Sequence, residues 1–192
     1  MKKILIALFT FAVFCFGGDK TFDEQALIKS CEKGVITDCS TIGNYYYSIR
    51  DINKAAKYLK KSCNKNNAFD CRILGLATDN RQYFKKGCEL KDAESCFLVT
   101  VKGGAKHYIF DSCDLGYKQA CYLIAERYFK NKEYKDALEY YVKACALNDE
   151  ESCLIVGGFK NKNNETNAAF ENFKKSCEGN NGVSCAVIKG FK

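Results

Sequence analysis

Aligned on its cysteines, the chain repeats one pattern of hydrophobic and polar positions six times. Four residues before a cysteine stand Leu27, Leu59, Phe84, Ile109, Tyr141 and Phe173. Five before stand Tyr58, Tyr83, Tyr108 and Tyr140, and eight before stand Ala55, Ala105, Ala137 and Ala169. Apolar residues three and four apart share one side of a helix, so this stretch predicts helix A of each repeat. Its aromatic residues read as core packing rather than as a ligand-stacking surface. A second cysteine follows after seven residues each time. Three beyond it stand Ile42, Leu74, Val99, Ile124, Val156 and Ile188, and four beyond stand Gly43, Gly75, Ala125 and Gly157. This is helix B, whose apolar side Tyr46 and Tyr128 extend by a turn. Glycine inside a helix costs about 1 kcal/mol against alanine, so its recurrence predicts a close approach of a neighbouring helix.

The polar residues mark where the helices stop and start. Gly34 and Gly116, three residues after their cysteine, and Gly179, two after, are expected to be left-handed C-terminal caps of helix A. Asn67, Asp92, Asp149 and Asn181, four before the second cysteine, are expected to be N-caps of helix B. Lys60-Lys61, Lys85-Lys86 and Lys174-Lys175 end helix A, where the helix dipole favours cations. They are therefore read as helix ends and not as a nucleic-acid surface.

Each repeat is thus an antiparallel helix pair with two cysteines facing across the turn. The pairs are Cys31–Cys39, Cys63–Cys71, Cys88–Cys96, Cys113–Cys121, Cys145–Cys153 and Cys177–Cys185, which take twelve of the thirteen cysteines. One local unit that solves the geometry six times places the bridges within repeats. Each bridge closes a nine-residue loop, worth roughly 2–3 kcal/mol by chain entropy. A metal site is disfavoured, since no C-x2-C occurs and His107 is the single histidine. One helix pair cannot bury its own apolar side, so the pairs are expected to stack into an all-α, α/α superhelical solenoid.

First cysteines are 32, 25, 25, 32 and 32 residues apart. The two short intervals predict helices about one turn shorter, with tight turns at Thr78-Asp79-Asn80 and Lys102-Gly103-Gly104, and a pinched middle. The expected repeats span about 20–48, 51–77, 79–101, 103–130, 133–160 and 163–190 within a single domain, 19–192.

Met1-Lys2-Lys3, the uncharged run Ile4 to Phe16 and the small Gly17-Gly18 form the three parts of a secretory signal peptide, assigned to residues 1–18. Acylation of Cys15 is disfavoured because bulky Phe14 precedes it. Export agrees with an even number of mature cysteines in disulfides. The net charge of +7 falls to +5 once Lys2 and Lys3 are removed, a mild excess spread along the chain. No RNP or helix-turn-helix motif is present, so no nucleic-acid binding is inferred. No run is long enough to insert in a membrane.

The blocks Asp51 to Cys63 and Lys135 to Cys145, with Cys153 and Gly157, resemble Sel1-like repeats. The likeness is to the cysteine-rich form found in exported proteins of Helicobacter and Campylobacter, and it covers about residues 20–190. The chain departs from that pattern in lacking the Gly-x-Gly-Val loop between helix B and the next helix A. The resemblance implies a solenoid related to tetratricopeptide repeats that holds a protein or peptide on its concave face. It also implies an alternative, weak penicillin binding or β-lactamase activity, with β-lactams or peptidoglycan fragments as ligands.

The residues give the enzyme reading little support. S-x-x-K occurs as Ser30 to Lys33 and Ser62 to Lys65, at one repeat position that Ser112 and Ser176 share without the lysine. S-D-N and K-T-G elements are missing, so repetition explains the serines better than catalysis does. His107 reads as a packing or surface residue, and Gly103-Gly104 is too short for a phosphate loop. No catalytic residue, cofactor or metal is assigned. The sequence favours a monomeric scaffold exported to the periplasm or secreted from a bacterium, with a structural role in oxidative stress or host contact left open.

Overall fold

The computed structural model describes residues 22–162, 166–182, 184, 185 and 188. The assigned signal peptide and Cys15 lie outside them. Among the described residues the chain is all helix, without a strand. Helix α1 (Glu24–Glu32) pairs with α2 (Ile36–Ser48), α3 (Ile52–Asn64) with α4 (Ala68–Thr78), and α5 (Arg81–Glu89) with α6 (Ala93–Val101). Then α7 (Tyr108–Asp114) pairs with α8 (Lys118–Lys130), and α9 (Tyr134–Ala146) with α10 (Glu150–Lys162). α11 (Thr166–Glu178) faces the helical residues around Cys185.

One turn is built six times. The third residue after each first cysteine is left-handed: Gly34 (φ 96°), Asn66 (65°), Lys91 (69°), Gly116 (92°), Asn148 (63°) and Asn180 (70°). Two amides close it. In the second pair Asn66 N–H donates to Cys63 O at 3.0 Å and Asn67 N–H to Ser62 O at 3.2 Å, a Schellman motif. The expected caps Asn67, Asp92, Asp149 and Asn181 then accept from the amides of Asp70, Ser95, Ser152 and Ser184 at 2.7–3.1 Å. Val35 and Tyr117 offer no side-chain cap, and those two turns have glycine at the left-handed position. The left-handed residue of the last turn is Asn180, not Gly179. Gly179 instead lies against the Glu150 side chain of the preceding pair.

Across each turn a disulfide joins the last turn of one helix to the first turn of the next, with Cα atoms 4.6–4.8 Å apart. Most of these sulfurs are core: Cys39, Cys63, Cys71, Cys96, Cys121 and Cys153 are fully buried. Three residues on, Ile42, Leu74, Val99, Ile124 and Val156 are buried as the pattern requires, while Ile188 at the chain's end is half-buried.

Helix length follows the repeat period. Apart from the nine-residue α1, the helices of the longer repeats have 13 residues, whereas α4, α5, α6 and α7 have 11, 9, 9 and 7. The shortening is uneven, and α7 loses most. Ala105 and His107, placed on a helix A by the alignment, precede α7: Ala105 is exposed and His107 occupies the N-cap position. Gly103 is left-handed (φ 79°), and a Cβ on Gly104 would lie 2.4 Å from Val99 O, so the chain turns back here at the expense of helix.

Candidate functional site

The joints between helix pairs rest on one contact. A small residue on helix B leaves a notch, and the large residue four before the next first cysteine fills it. A Cβ on Gly43 would lie 2.8 Å from Leu59 Cγ, on Gly75 2.6 Å from Phe84 Cε1, and on Gly157 2.8 Å from Phe173 Cε1. Ala125 shares a buried cluster with Tyr141 in the same way. On α2 and α8 a second contact lies one turn further. Tyr46 stacks on Tyr58 with centroids 5.8 Å apart, and Tyr128 on Tyr140 at 5.6 Å. The Tyr46 hydroxyl donates to Glu24 Oε1 at 2.5 Å, which, with burial, pushes its pKa up to about 12. Burial, and then donation to Glu126 Oε1 at 2.5 Å, raises that of Tyr141.

Side chains also tie one pair to the next. Ser112 and Ser176 each donate to a carbonyl at the start of the preceding helix B, Ala93 O and Glu150 O, at 2.7 Å. Arg72 on α4 stacks on Phe69, places Nε 3.1 Å from Asp92 Oδ1 and pairs with Glu94.

The joint between α6 and α7 breaks the rule. Thr100 stands where the other joints have glycine or alanine, and Ile109, where they have a buried ring or leucine, is only half-buried. With α7 reduced to seven residues, a cavity of about 620 Å³ opens beside α8, lined by Ile109, Phe110, Leu123, Ile124 and Tyr128. Leu123 is 44 % exposed. Thr100 also lines the cavity, and its hydroxyl is buried without a hydrogen-bond partner among the described residues. Lys106, His107, Arg127 and Glu133 complete the wall. Lys106 and Arg127 form no ion pair among the described residues. A smaller apolar recess of about 290 Å³ lies between the C-terminal end of α8 and the helices α9 and α10, where Phe129 and Tyr134 meet edge-to-face at 5.4 Å.

The S-x-x-K serines do not form a reaction centre. Ser62 is fully buried and donates to buried Asp70, which also accepts from Asn44 Nδ2 at 2.9 Å. Lys65 is exposed, and Ser30 lies in a different helix pair, half-buried in α1. Ser62 is thus part of an interior polar link from α2 through α3 to α4, unavailable to a substrate. His107 is exposed with its ring 4.1 Å from Tyr108. Among the described residues no group of three or more His, Cys, Asp or Glu side chains could hold a metal ion, and no helix is long and apolar enough to cross a membrane.

The cavity residues Phe110, Leu123 and Arg127 carry no sequence motif. The available signal was indirect: a 25-residue interval, together with threonine in place of glycine at the fourth residue beyond Cys96.

The helix pairs, their stacking and their bridges define an α/α solenoid of Sel1-like repeats. Two crystal structures share this fold. A Sel1 repeat protein from Oxalobacter formigenes superposes with a TM-score of 0.70 at 16 % identity, over 88 % of this chain and 59 % of that one. The protein c5321, described as a protective antigen of uropathogenic Escherichia coli with an SLR fold, gives a TM-score of 0.63 at 19 % identity, over 86 % of this chain and 43 % of that one. The chain thus spans about half the length of these two proteins, and the likeness is one of fold. No protein-family model matches the sequence, and no curated protein matches it.

Proposed function

We propose that this chain is an exported bacterial scaffold that binds a protein or peptide partner, working as a monomer in the periplasm or outside the cell. One observation carries the reading: a framework stapled within every helix pair leaves an open apolar cavity, with two cations on its wall that form no ion pair among the described residues. Preorganisation of this kind lowers the ordering cost of binding, and stacked repeats commonly use their extended surface for recognition. Six disulfides favour an oxidising compartment, in keeping with the signal-like N-terminus. Burial of Ser62 counts against β-lactam chemistry.

Selection of a displayed random-peptide library on the oxidised, folded protein tests this. Recovered peptides that bind the oxidised protein and not its reduced, unfolded form support a scaffold. Failure to enrich any peptide, alongside a covalent mass adduct with penicillin, would replace it with the hydrolase reading.

A further inference from the structure

The α6–α8 cavity resting on that scaffold reading has a chemistry that selects among peptides. Its lining is apolar and aromatic, from Ile109, Phe110, Leu123 and Tyr128, and at about 620 Å³ it lies within the range of pockets that enclose an organic ligand. It is no accident of surface roughness. Four other joints close the same space with a residue seated in a glycine or alanine notch, and only here is the seat blocked by Thr100. The Thr100 hydroxyl on the cavity wall is buried without a partner among the described residues, a local stability cost, and Leu123 is exposed to the same space. An apolar side chain filling the cavity would cover Leu123.

The charges on the wall add direction. Lys106 and Arg127 have no carboxylate partner among the described residues, although other basic side chains find one: Lys102 pairs with Asp79 and Lys118 with Glu150. Glu133 is the single carboxylate lining the cavity among the described residues. An apolar pocket with excess positive charge at its edge is complementary to an apolar anchor with acidic neighbours. We propose that this cavity binds a peptide segment that inserts one aromatic side chain between Phe110 and Leu123 and sets flanking carboxylates against Lys106 and Arg127. The anchor supplies most of the affinity through buried area, and the carboxylates supply orientation and selectivity.

The test uses the whole oxidised protein and three fluorescein-labelled pentapeptides read by anisotropy: Asp-Glu-Phe-Asp-Glu, Asp-Glu-Ala-Asp-Glu and Lys-Lys-Phe-Lys-Lys. The first should bind, and more tightly than either of the others, with affinity falling as salt rises. Leu123→Asp, an exposed position whose change leaves the core intact, should weaken binding about tenfold or more. Arg127→Glu should weaken the acidic peptide several-fold and improve the basic one, a reversal that mere loss of folding cannot produce. Equal affinity for the acidic and basic peptides, or binding unaffected by Leu123→Asp, overturns the proposal. So does binding of phenylacetate in place of any peptide, which would make the cavity a small-molecule site. Library peptides that keep their affinity on Leu123→Asp leave the scaffold reading standing and overturn this site alone. An empty selection in which the acidic peptide also fails to bind overturns both.

Discussion

Gly157 and Gly158 are neighbours on α10, yet alanine should act on them with opposite sign. At Gly158 a new Cβ meets nothing within 4 Å, so the change returns only the helix preference of alanine, about 1 kcal/mol of stabilisation. At Gly157 the same gain is opposed by the next repeat. The Cβ would lie 2.8, 2.9 and 3.2 Å from Phe173 Cε1, Cδ1 and Cγ, on a ring that is 4 % exposed and must move as a whole. Overpacking of this kind costs about 1–3 kcal/mol, so Gly157→Ala should be neutral to about 2 kcal/mol destabilising. The two variants then differ by about 1–3 kcal/mol, or several degrees in Tm at this size. Urea unfolding of the oxidised proteins measures this, and an unchanged m-value assigns the difference to stability. Phe173→Leu placed on Gly157→Ala should recover part of the loss through a shared contact. If Gly157→Ala stabilises as much as Gly158→Ala, the notch packing described for every closed joint is wrong.

Three further outcomes follow from the turns and the buried phenols. Asp149→Ala removes the acceptor of the Ser152 amide and should cost about 1 kcal/mol in urea unfolding, whereas Val35→Asp, at an exposed and uncapped helix start, should gain a similar amount. Replacing Cys63 and Cys71 together with alanine should cost roughly 2–3 kcal/mol; no loss of stability would show that this bridge does not constrain the unfolded chain. Tyr46 keeps its proton in the folded state up to about pH 12, while the unfolded chain releases it near pH 10. Its contribution is therefore complete below about pH 10 and lost as pH rises through about 12. Tyr46→Phe should flatten that part of the stability–pH curve, and an unchanged curve would contradict the Glu24 hydrogen bond.

The repeat itself was legible in the sequence because its determinants are local. Cysteine spacing, the 3.6-residue apolar period and the caps Asn67, Asp92, Asp149 and Asn181 act within one turn of chain, so they carry their meaning at any position. Local reasoning failed in the same physical terms where backbone geometry outranks residue preference. Gly179 has the residue type of a left-handed cap, but the hydrogen-bonding register of the Schellman turn assigns that conformation to Asn180. Ala105 aligns with buried alanines, yet the turn at Gly103-Gly104 uses up the residues that would have built its helix.

The serine motifs and the cavity needed the tertiary structure. Nothing in Ser62 to Lys65 says that its hydroxyl ends on Asp70 in the interior, because Asp70 reaches it from α4 and is itself held by Asn44 from α2. Likewise Phe110, Leu123 and Arg127 come from two helices and meet only because α7 is short. The sequence determined the helix pair and its staple, which depend on neighbours along the chain. Where the stacked pairs fail to close was decided in three dimensions, because a cavity is a property of the space between helices.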